Sequence, residues 1–496
     1  MERDRGHRTF IWISWSAVVI VTLLRAAFAA RLPLTGDEAY YWEWSRRLAA
    51  GYTDHPPAIA FAIAAFAWLG ASPFAVRIPF VLCGIGTALA CAGAAATIVR
   101  DGRAAAVAAL GVTLAPIMSV AFATASPDGP YALFWALTLY SGVKAFDSGA
   151  PRWFILLGIA LGATLLSRLF GLALFAGILA ASRKQRGALL ATIIALALWS
   201  PFLWWNAAHH WISFTFALVQ RHEMQVQLVR PLLVYALGAL AFSPGFWIAA
   251  TLAAARPKYA LIAWTALPLC VLLLLLALRE RVEIYWFIGP YVSLCVAIGC
   301  AYAAWNEKRR RSGLAWMLAP AAALTLLVFI AGLAPGLVYA LLRSSGVKLS
   351  DGGPFEMFTY RRLARDVARA VNARGAIAMT DGYGFSSLLD FYGGLQPVVI
   401  GYAAQGEEAH GWFTGTRDPR PALFVDKVPL KTRPDFSHQL QIACAHVRAG
   451  PTFSYAFVQG DRNVPPRRYY TTWCEGLSAR SVAMLRWERA AYGRMR

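Results

Sequence analysis

The chain has 496 residues, of which 58% are hydrophobic and 15% are charged. Soluble domains carry about 25% charged residues, so the low charged fraction and a mean hydropathy of +0.50 exclude a set of soluble domains. A net charge of +21 would suggest nucleic-acid binding in a soluble protein, but here apolar runs long enough to cross a bilayer recur along the chain. The composition therefore indicates a polytopic membrane protein, with no nucleic acid among its partners.

Eleven segments are predicted to cross the membrane, some of them shorter than the usual ~20 residues. The first follows the basic start "MERDRGHR" and ends in small residues, which is also the pattern of a cleaved signal peptide. Its apolar stretch exceeds the roughly 7 to 15 residues of a signal-peptide core, so we interpret it as a span. The predicted spans are 9–30, 74–99, 104–123, 130–146, 153–167, 170–182, 187–205, 232–254, 259–278, 285–305 and 312–340.

Basic residues concentrate in every second connection between these spans. By the positive-inside rule, such connections face the cytoplasm, together with the N-terminus. The odd number of spans then places the first long loop, residues 31–73, and the C-terminal tail on the outer side of the membrane. The basic connections are 100–103, 144–152, 182–186, 256–258 and 307–311.

The polar tail predicts a second domain. We place the boundary at Ser344, so that residues 1–343 form the membrane domain and residues 344–496 form a periplasmic α/β domain. Cys444 and Cys474 lie in this tail, where an oxidising compartment allows a disulfide but does not require one. Its "DGYGFSS" segment lacks the spacing of a nucleotide-binding glycine motif. The predicted tail elements are helices at 356–373 and 385–392 and strands at 376–380, 397–401, 422–426 and 454–459.

The first loop contains two segments that are not expected to span the membrane. The segment 56–70 starts with two prolines and is too short to cross comfortably, so we expect it to lie in or re-enter the outer leaflet. The segment 37–50 is predicted to be an interfacial helix. Its 3.6-residue period places four side chains on one face: Asp37, Tyr41, Trp44 and Leu48.

Asp37 and Glu38 allow a structural and a chemical interpretation. Acidic residues in a first turn favourably meet the exposed N–H groups of a helix, and Thr35 is a candidate cap. The neighbouring "YYWEW" rings instead suit the faces of a sugar, and a positioned carboxylate can take a proton from a hydroxyl as a bond forms. We therefore expect Tyr41 and Trp44 to contact a sugar.

Five stretches together resemble the bacterial branch of the GT-C membrane glycosyltransferases, the RgtA/B/C/D-like group. This group is akin to protein O-mannosyltransferases and to the aminoarabinose transferase that modifies lipid A. The similarity covers about residues 10–340, and the tail matches only in general plan. The stretches are "GDEAYYWEWSRRLAAGYTDHPP" from Gly36, "FAVRIPF" from Phe74, "SPDGPYALFWALTLY" from Ser126, "LSRLFGLALF" from Leu166 and "WNAAHHWISF" from Trp205.

The resemblance implies a helical GT-C fold, a polyprenyl-phosphate sugar donor, a periplasmic acceptor and an inverting displacement. Asp37 occupies the position of the family's catalytic base, and Glu38 matches the second acid. Asp128 in "SPD" matches the acid of the second outer loop, and Arg77 matches the arginine after the re-entrant segment. The lipid A aminoarabinose transferases have an arginine and a lysine where this chain has Tyr40 and His55, so the donor head group is expected to differ.

A departing phosphate needs cations, and an enzyme outside the cytoplasm needs a lipid-anchored donor because nucleotide sugars are not expected there. Basic residues on the outer side oppose the topological bias, which favours a functional interpretation. Lipid-headgroup contacts or ion pairs with nearby glutamates are the alternative for each residue. The candidate phosphate ligands are His55, Arg77, Arg168, Arg221, Arg279 and Arg281. His222, which follows Arg221, is a further basic residue on the same predicted side.

No metal site is predicted, because His55, His209 and His210 lack the close spacing of zinc ligands. A divalent cation is left open, and no other cofactor is implied. The predicted activity is transfer of a hexosyl or pentosyl group to a hydroxyl of lipopolysaccharide or another glycolipid. The alternatives are a protein acceptor, a transporter of lipid-linked or small polar substrates, and a non-catalytic assembly protein.

Overall fold

A computed structural model describes residues 2–183, 185–218, 228–256, 259–278, 282–345, 356–399, 420–456 and 467–476. The chain divides into two compact units. The first consists of Met1–Ala30 and Leu48–Ile330, and the second of Arg31–Arg47 and Ala331–Arg496. The start of the predicted first loop thus belongs to the same unit as the C-terminal part of the chain. The contact boundary at 330/331 falls inside the last predicted span rather than at Ser344.

Helices dominate the described residues. The first unit contains α3 to α15 and most of α1 and α16, and the second contains α2 and α17 to α20. The helices are α1 Glu2–Arg31, α2 Gly36–Arg46, α3 Ala58–Ala64, α4 Pro73–Val99, α5 Gly102–Leu114, α6 Pro116–Ala121, α7 Asp128–Ser148, α8 Pro151–Leu165, α9 Gly171–Ala181, α10 Ala188–Ala208, α11 Ile212–Leu218, α12 Arg230–Phe242, α13 Pro244–Ala254, α14 Ala260–Leu276, α15 Ile288–Ala303, α16 Glu307–Leu333, α17 Pro335–Ser344, α18 Tyr360–Asn372, α19 Tyr383–Gly393 and α20 Pro434–Ala443.

Within the described ranges, five helices are long and apolar enough to cross a membrane. Four more apolar helices, α5, α8, α9 and α14, are shorter, and α12 and α13 together form a sixth candidate that is bent by 108°. Eleven crossings therefore stay a prediction. The five long helices are His7–Arg31, Pro73–Val99, Ala188–Ala208, Ile284–Ala303 and Glu307–Leu333.

The predicted span 104–123 is broken between α5 and α6. Pro116 has no N–H to donate, so the carbonyls in the last turn of α5 need other partners. Tyr291 donates to the Gly111 carbonyl at 3.0 Å, Arg25 to the Thr113 carbonyl at 2.7 Å and Thr325 to the Leu114 carbonyl at 2.7 Å. Side chains from distant helices therefore donate hydrogen bonds to the backbone carbonyls at this break inside the apolar core.

Two other predicted spans, 232–254 and 312–340, are also broken. Ser243, with a positive φ of 89°, separates α12 from α13, and its hydroxyl donates to the Met317 carbonyl at 2.5 Å. Ala334 separates α16 from α17 before Pro335. The short segment 56–70 forms α3 and a single 3₁₀ turn, Ala67–Leu69.

The second unit contains a mixed sheet. Strands β1 and β3 are parallel neighbours, β2 extends the sheet beyond β1, and β6 runs antiparallel to β3, β4 and β5. A disulfide joins Cys444, just before β4, to Cys474 in β6, a pairing that the sequence left open. The strands are β1 Ile377–Thr380, β2 Val398–Val399, β3 Ala422–Asp426, β4 His446–Ala449, β5 Phe453–Tyr455 and β6 Arg467–Glu475.

Three predicted elements of the tail, each rich in apolar residues, are confirmed. The strands at 376–380 and 422–426 and the helix at 385–392 correspond to β1, β3 and α19, and all five residues of β3 are buried. The helix predicted at 356–373 is shorter, as α18. Strands β4 and β6 were not predicted, because β4 is largely exposed and β6 opens with charged and aromatic residues.

Candidate functional site

The start of α2 is a capping box built by Thr35 and Glu38. The Thr35 hydroxyl accepts from the Glu38 N–H at 3.3 Å, and Glu38 Oε2 accepts from the Thr35 N–H at 2.9 Å. Glu38 is 2% exposed, so the reciprocal bonds satisfy two N–H groups at the helix start. The helix predicted over 37–50 begins here and ends at Arg46, which leaves Leu48 outside it.

Asp37 lies beside this cap with its side chain exposed. Its Oδ1 accepts a hydrogen bond from the Tyr383 hydroxyl at 3.1 Å. The surrounding protein desolvates the carboxylate and raises its pKa, the Tyr383 bond acts in the opposite direction, and the Glu38 charge raises the pKa further. A carboxylate with a raised pKa is a better proton acceptor at neutral pH than an ion-paired one.

The two rings predicted to contact a sugar are packed inside protein. Trp44 is 1% exposed and Tyr41 is 8% exposed. The Trp44 ring lies edge-on to those of Tyr40 and Tyr41, with centroids 4.8 Å and 5.0 Å apart. Sugar contact by these rings stays a prediction, and their burial favours a packing role instead.

The C-terminal end of α2 is joined to α19 by an ion pair. Arg46 Nη1 lies 3.0 Å from Asp390 Oδ2, and its guanidinium covers the Trp42 ring at 4.7 Å. Glu43 is buried near this pair, and burial raises its pKa well above the ordinary value. Because Arg46 and Asp390 are 344 positions apart in the chain, local sequence patterns could not predict this contact.

A buried ion pair forms the centre of the candidate site in the first unit. Asp128 begins α7, and Arg168 lies in the turn between α8 and α9. Arg168 Nη1 is 2.7 Å from Asp128 Oδ1, and both side chains are buried. The Tyr285 and Phe170 rings lie 5.2 Å and 5.9 Å from the guanidinium carbon. The sequence marked both charged residues but gave no indication that they pair.

Arg168 also lines a cavity of ≈ 300 Å³ together with His55 and Asp54. The backbone holds His55 near this turn, because Ala58 N–H donates to the Leu166 carbonyl at 3.0 Å. The rest of the lining is apolar, from α9, α11, α14 and the turn before α15; it includes Phe170, Phe214, Leu272, Leu276 and Trp286. A cavity with a few cationic or polar groups and apolar walls suits an anionic head group that carries an apolar chain.

The other predicted phosphate ligands are placed differently. Arg77 is fully buried and donates to the Ala29 carbonyl near the end of α1 at 3.1 Å, and it is absent from the cavity lining. A contact of Arg77 with the donor phosphate therefore stays a prediction that its burial does not favour. Arg221, His222, Arg279 and Arg281 lie outside the described residues.

The histidines show no shared metal centre within the described ranges. There, no three His, Cys, Asp or Glu side chains are grouped so as to hold a metal ion. His209 instead stacks on Trp205, with centroids 4.1 Å apart, and its Nδ1 lies 2.7 Å from the Trp205 carbonyl.

Comparison with known proteins identifies relatives of the membrane unit. Residues 54–205 match the family model described as dolichyl-phosphate-mannose-protein mannosyltransferase. Over 309 residues the chain is 25% identical to the lipid A galacturonosyltransferase RgtD of Rhizobium johnstonii. That match covers 58% of this chain and 65% of the relative, so it spans a little under two thirds of the relative's length.

Solved structures show the same fold. ArnT from Cupriavidus metallidurans bound to undecaprenyl phosphate superimposes with a TM-score of 0.63 at 16% identity, covering 93% of this chain and 98% of ArnT. Its apo state gives the same TM-score and identity and covers 96% and 98%. The expected resemblance is confirmed: the chain is a multi-pass membrane protein with the helical GT-C fold.

Proposed function

We propose that this GT-C chain is a glycosyltransferase that moves a sugar from a polyprenyl-phosphate carrier to a hydroxyl of a cell-envelope glycolipid. The observation that carries the proposal is the cavity of the first unit, where Arg168 and His55 meet apolar walls. Two relatives support the two substrates: RgtD is named for galacturonosyl transfer on lipid A, and ArnT was solved with undecaprenyl phosphate. We place the reaction at the periplasmic face of a bacterial inner membrane, with the C-terminal unit on that side.

Arg168 would hold the donor phosphate. Guanidinium is a planar fork with five donors, so one edge can bind the Asp128 carboxylate while others bind phosphate oxygens. The Asp128 pair at 2.7 Å fixes the fork in a buried position. Charge-assisted bonds there would stabilise the negative charge that develops on the departing phosphate. His55 would add a further donor when protonated.

Asp37 would act as the general base. The acceptor oxygen attacks the anomeric carbon, the bond from that carbon to the phosphate oxygen breaks, and its electron pair leaves with the phosphate. The hydroxyl proton moves to the Asp37 carboxylate in the same step. Direct displacement inverts the anomeric configuration. The proposed role of Asp37 as base rests on its contacts within the second unit, at the start of α2. The proposed role of Arg168 as phosphate ligand rests on the cavity of the first unit.

The remaining predicted residues take supporting roles in this proposal. Glu38 caps α2 and thereby orients Asp37. Arg77 ties α4 to the end of α1. Arg221, Arg279 and Arg281 stay candidates for additional phosphate contacts on the outer side, on the grounds of charge and predicted topology alone.

The experiment compares envelope glycolipids and purified protein for the wild type, Asp37→Asn and Arg168→Gln. Asp37→Asn should lower transfer by roughly 10² to 10⁴, the usual contribution of a general base, while undecaprenyl phosphate binds as in the wild type. Arg168→Gln should weaken that binding, because a buried charge-assisted contact is lost. Wild-type transfer by Asp37→Asn would exclude Asp37 as the base. Glycolipid masses that are unchanged by deletion of the gene would exclude a glycolipid acceptor.

A protein hydroxyl is the second candidate acceptor. The family model that matches residues 54–205 is described by mannosyl transfer to protein. Loss of a glycosylated envelope protein after gene deletion, with glycolipid masses unchanged, would favour this alternative.

A further inference from the structure

The "DGYGFSS" segment of the C-terminal part of the chain, which lacks the spacing of a nucleotide-binding glycine motif, contributes directly to the surroundings of Asp37. Tyr383 is the first residue of α19, and its hydroxyl donates to Asp37 Oδ1 at 3.1 Å. Both residues belong to the second unit. Among the described residues, Tyr383 is the side chain that donates to the Asp37 carboxylate.

The two helices meet at their first turns through a pair of glycines. A Cβ atom at Gly36 would lie 3.1 Å from the Gly384 Cα, and one at Gly384 would lie 3.2 Å from the Gly36 Cα. The backbones can come this close only because neither residue has a side chain. The Tyr40 and Tyr383 rings pack beside the contact with centroids 4.5 Å apart.

Tyr383 is itself held by the sheet. Its helix follows β1 after the turn Asp381–Gly382, and Arg433 fixes that turn by pairing with Asp381 at 2.5 Å and with Asp426 of β3 at 2.7 Å. Tyr383 therefore lies at the start of a helix that is joined to β1 by a turn held by ion pairs. Such a position is more rigid than one in a free loop.

We infer that Tyr383 is a positioning residue for the base: its phenol binds Asp37 Oδ1 and leaves Oδ2 directed to the acceptor hydroxyl. This inference rests on the proposed function, in which Asp37 takes the acceptor proton. The C-terminal unit is then part of the catalytic apparatus. A neutral phenol orients the carboxylate without supplying a full positive charge, so Asp37 keeps more basicity than an arginine partner would allow.

Removal of the Tyr383 hydroxyl is expected to change the pH dependence of the transfer rate. The groups that face Asp37 are Glu38 on its own helix and Tyr383 on α19, with the Tyr40 ring against Tyr383. Tyr383→Phe removes the group that stabilises ionised Asp37, so its pKa rises. Because the base must be ionised, the acidic limb of the rate profile should move to higher pH.

The experiment uses the full-length chain in host membrane vesicles, which contain the native donors and acceptors, and measures the initial rate of glycolipid mass gain between pH 4 and 9. Tyr383→Phe should lower the rate roughly tenfold and move the acidic limb up by roughly half a pH unit. Binding of undecaprenyl phosphate to the purified variant should equal that of the wild type. The matched control is Tyr392→Phe on the same helix, which removes the acceptor of the Leu34 N–H bond of 2.7 Å.

Three outcomes would overturn the inference. A wild-type rate and profile for Tyr383→Phe would exclude it and leave the proposed function standing if Asp37→Asn is inactive. Equal rate losses in Tyr383→Phe and Tyr392→Phe, with no movement of the acidic limb, would show that α19 only docks α2. Wild-type turnover by Asp37→Asn would exclude the base itself, and the inference with it.

Discussion

Two aspartates at the starts of helices show how differently one residue type is used in the two units. Asp37, in the first turn of α2, has an exposed carboxylate that accepts a hydrogen bond from a neutral phenol. Asp128 begins α7 in the first unit, is 6% exposed, and pairs with the guanidinium of Arg168 at 2.7 Å. Each lies in a stretch that resembles the GT-C glycosyltransferases, yet their surroundings have opposite chemical consequences.

In the proposed function, this difference in surroundings distinguishes a general base from a counter-ion. A carboxylate that ion-pairs in an apolar interior cannot give up its charge without leaving a buried cation unpaired. A carboxylate that is oriented by a neutral donor can be protonated and deprotonated without leaving a cation unpaired. The local environment therefore supports Asp37 as the proton acceptor and Asp128 as the residue that fixes Arg168.

The largest effect is expected from breaking the ion pair. Asp128→Asn leaves Arg168 buried without its counter-charge, which should lower the free energy of unfolding by about 3 to 5 kcal/mol. Titration of the purified protein with denaturing detergent measures that loss. The double variant Asp128→Leu/Arg168→Met should recover most of the stability but bind undecaprenyl phosphate poorly. A single variant as stable as the wild type would contradict a buried ionic pair.

An intermediate effect is expected from separating α2 and α19. The methyl group of Gly384→Ala would press on the Gly36 backbone, so the helices should move apart and lose about 1 kcal/mol of stability. The longer Asp37–Tyr383 bond should also reduce the transfer rate. Gly382→Ala is the matched control, since its Cβ would meet nothing within 4 Å among the described residues. Equal transfer rates in the two variants would argue against a role for this contact in activity.

The smallest effect is expected at Glu43, and its sign depends on pH. Burial raises the pKa of Glu43 well above 4.5, with Ser387 lowering and Asp390 raising it. The folded protein thus binds this proton more tightly, so the contribution to stability is complete below pH 4.5 and is lost as the pH rises through the raised pKa. Glu43→Gln mimics the protonated acid and should match the wild type at pH 4 but melt at a higher temperature at pH 8. A lower melting temperature at pH 8 would show that the ionised carboxylate is stabilising.

Local patterns predicted much of the fold. The span predicted at 74–99 is the helix Pro73–Val99, and the cap at Thr35 follows from the residue types in one helical turn. The breaks at Pro116 and Ser243 were missed, because hydropathy averages over a whole window. Their stability depends on partners from distant helices, such as Arg25 and Tyr291.

In the candidate site, too, the local sequence identified some features, and contacts between distant residues determined the others. The sequence singled out Asp37, His55, Asp128 and Arg168 as chemical residues, and the structure brings His55 and Arg168 to one cavity. The partner of Asp37 could not be predicted, since Tyr383 lies 346 positions away and belongs to no recognisable motif. Tyr41 and Trp44 were assigned to a sugar on their residue types, whereas the tertiary structure buries them.

By itself, the amino-acid order determined the membrane class, most helix positions, the cap of α2 and the family resemblance, because each depends on hydrophobicity or hydrogen bonds within a few turns. Only the tertiary structure decided that Arg168 is paired with Asp128, that Arg77 is buried and that a phenol from the C-terminal unit binds Asp37. These are contacts between residues far apart in the chain. Their geometry depends on how whole helices and a sheet pack, which no local pattern encodes.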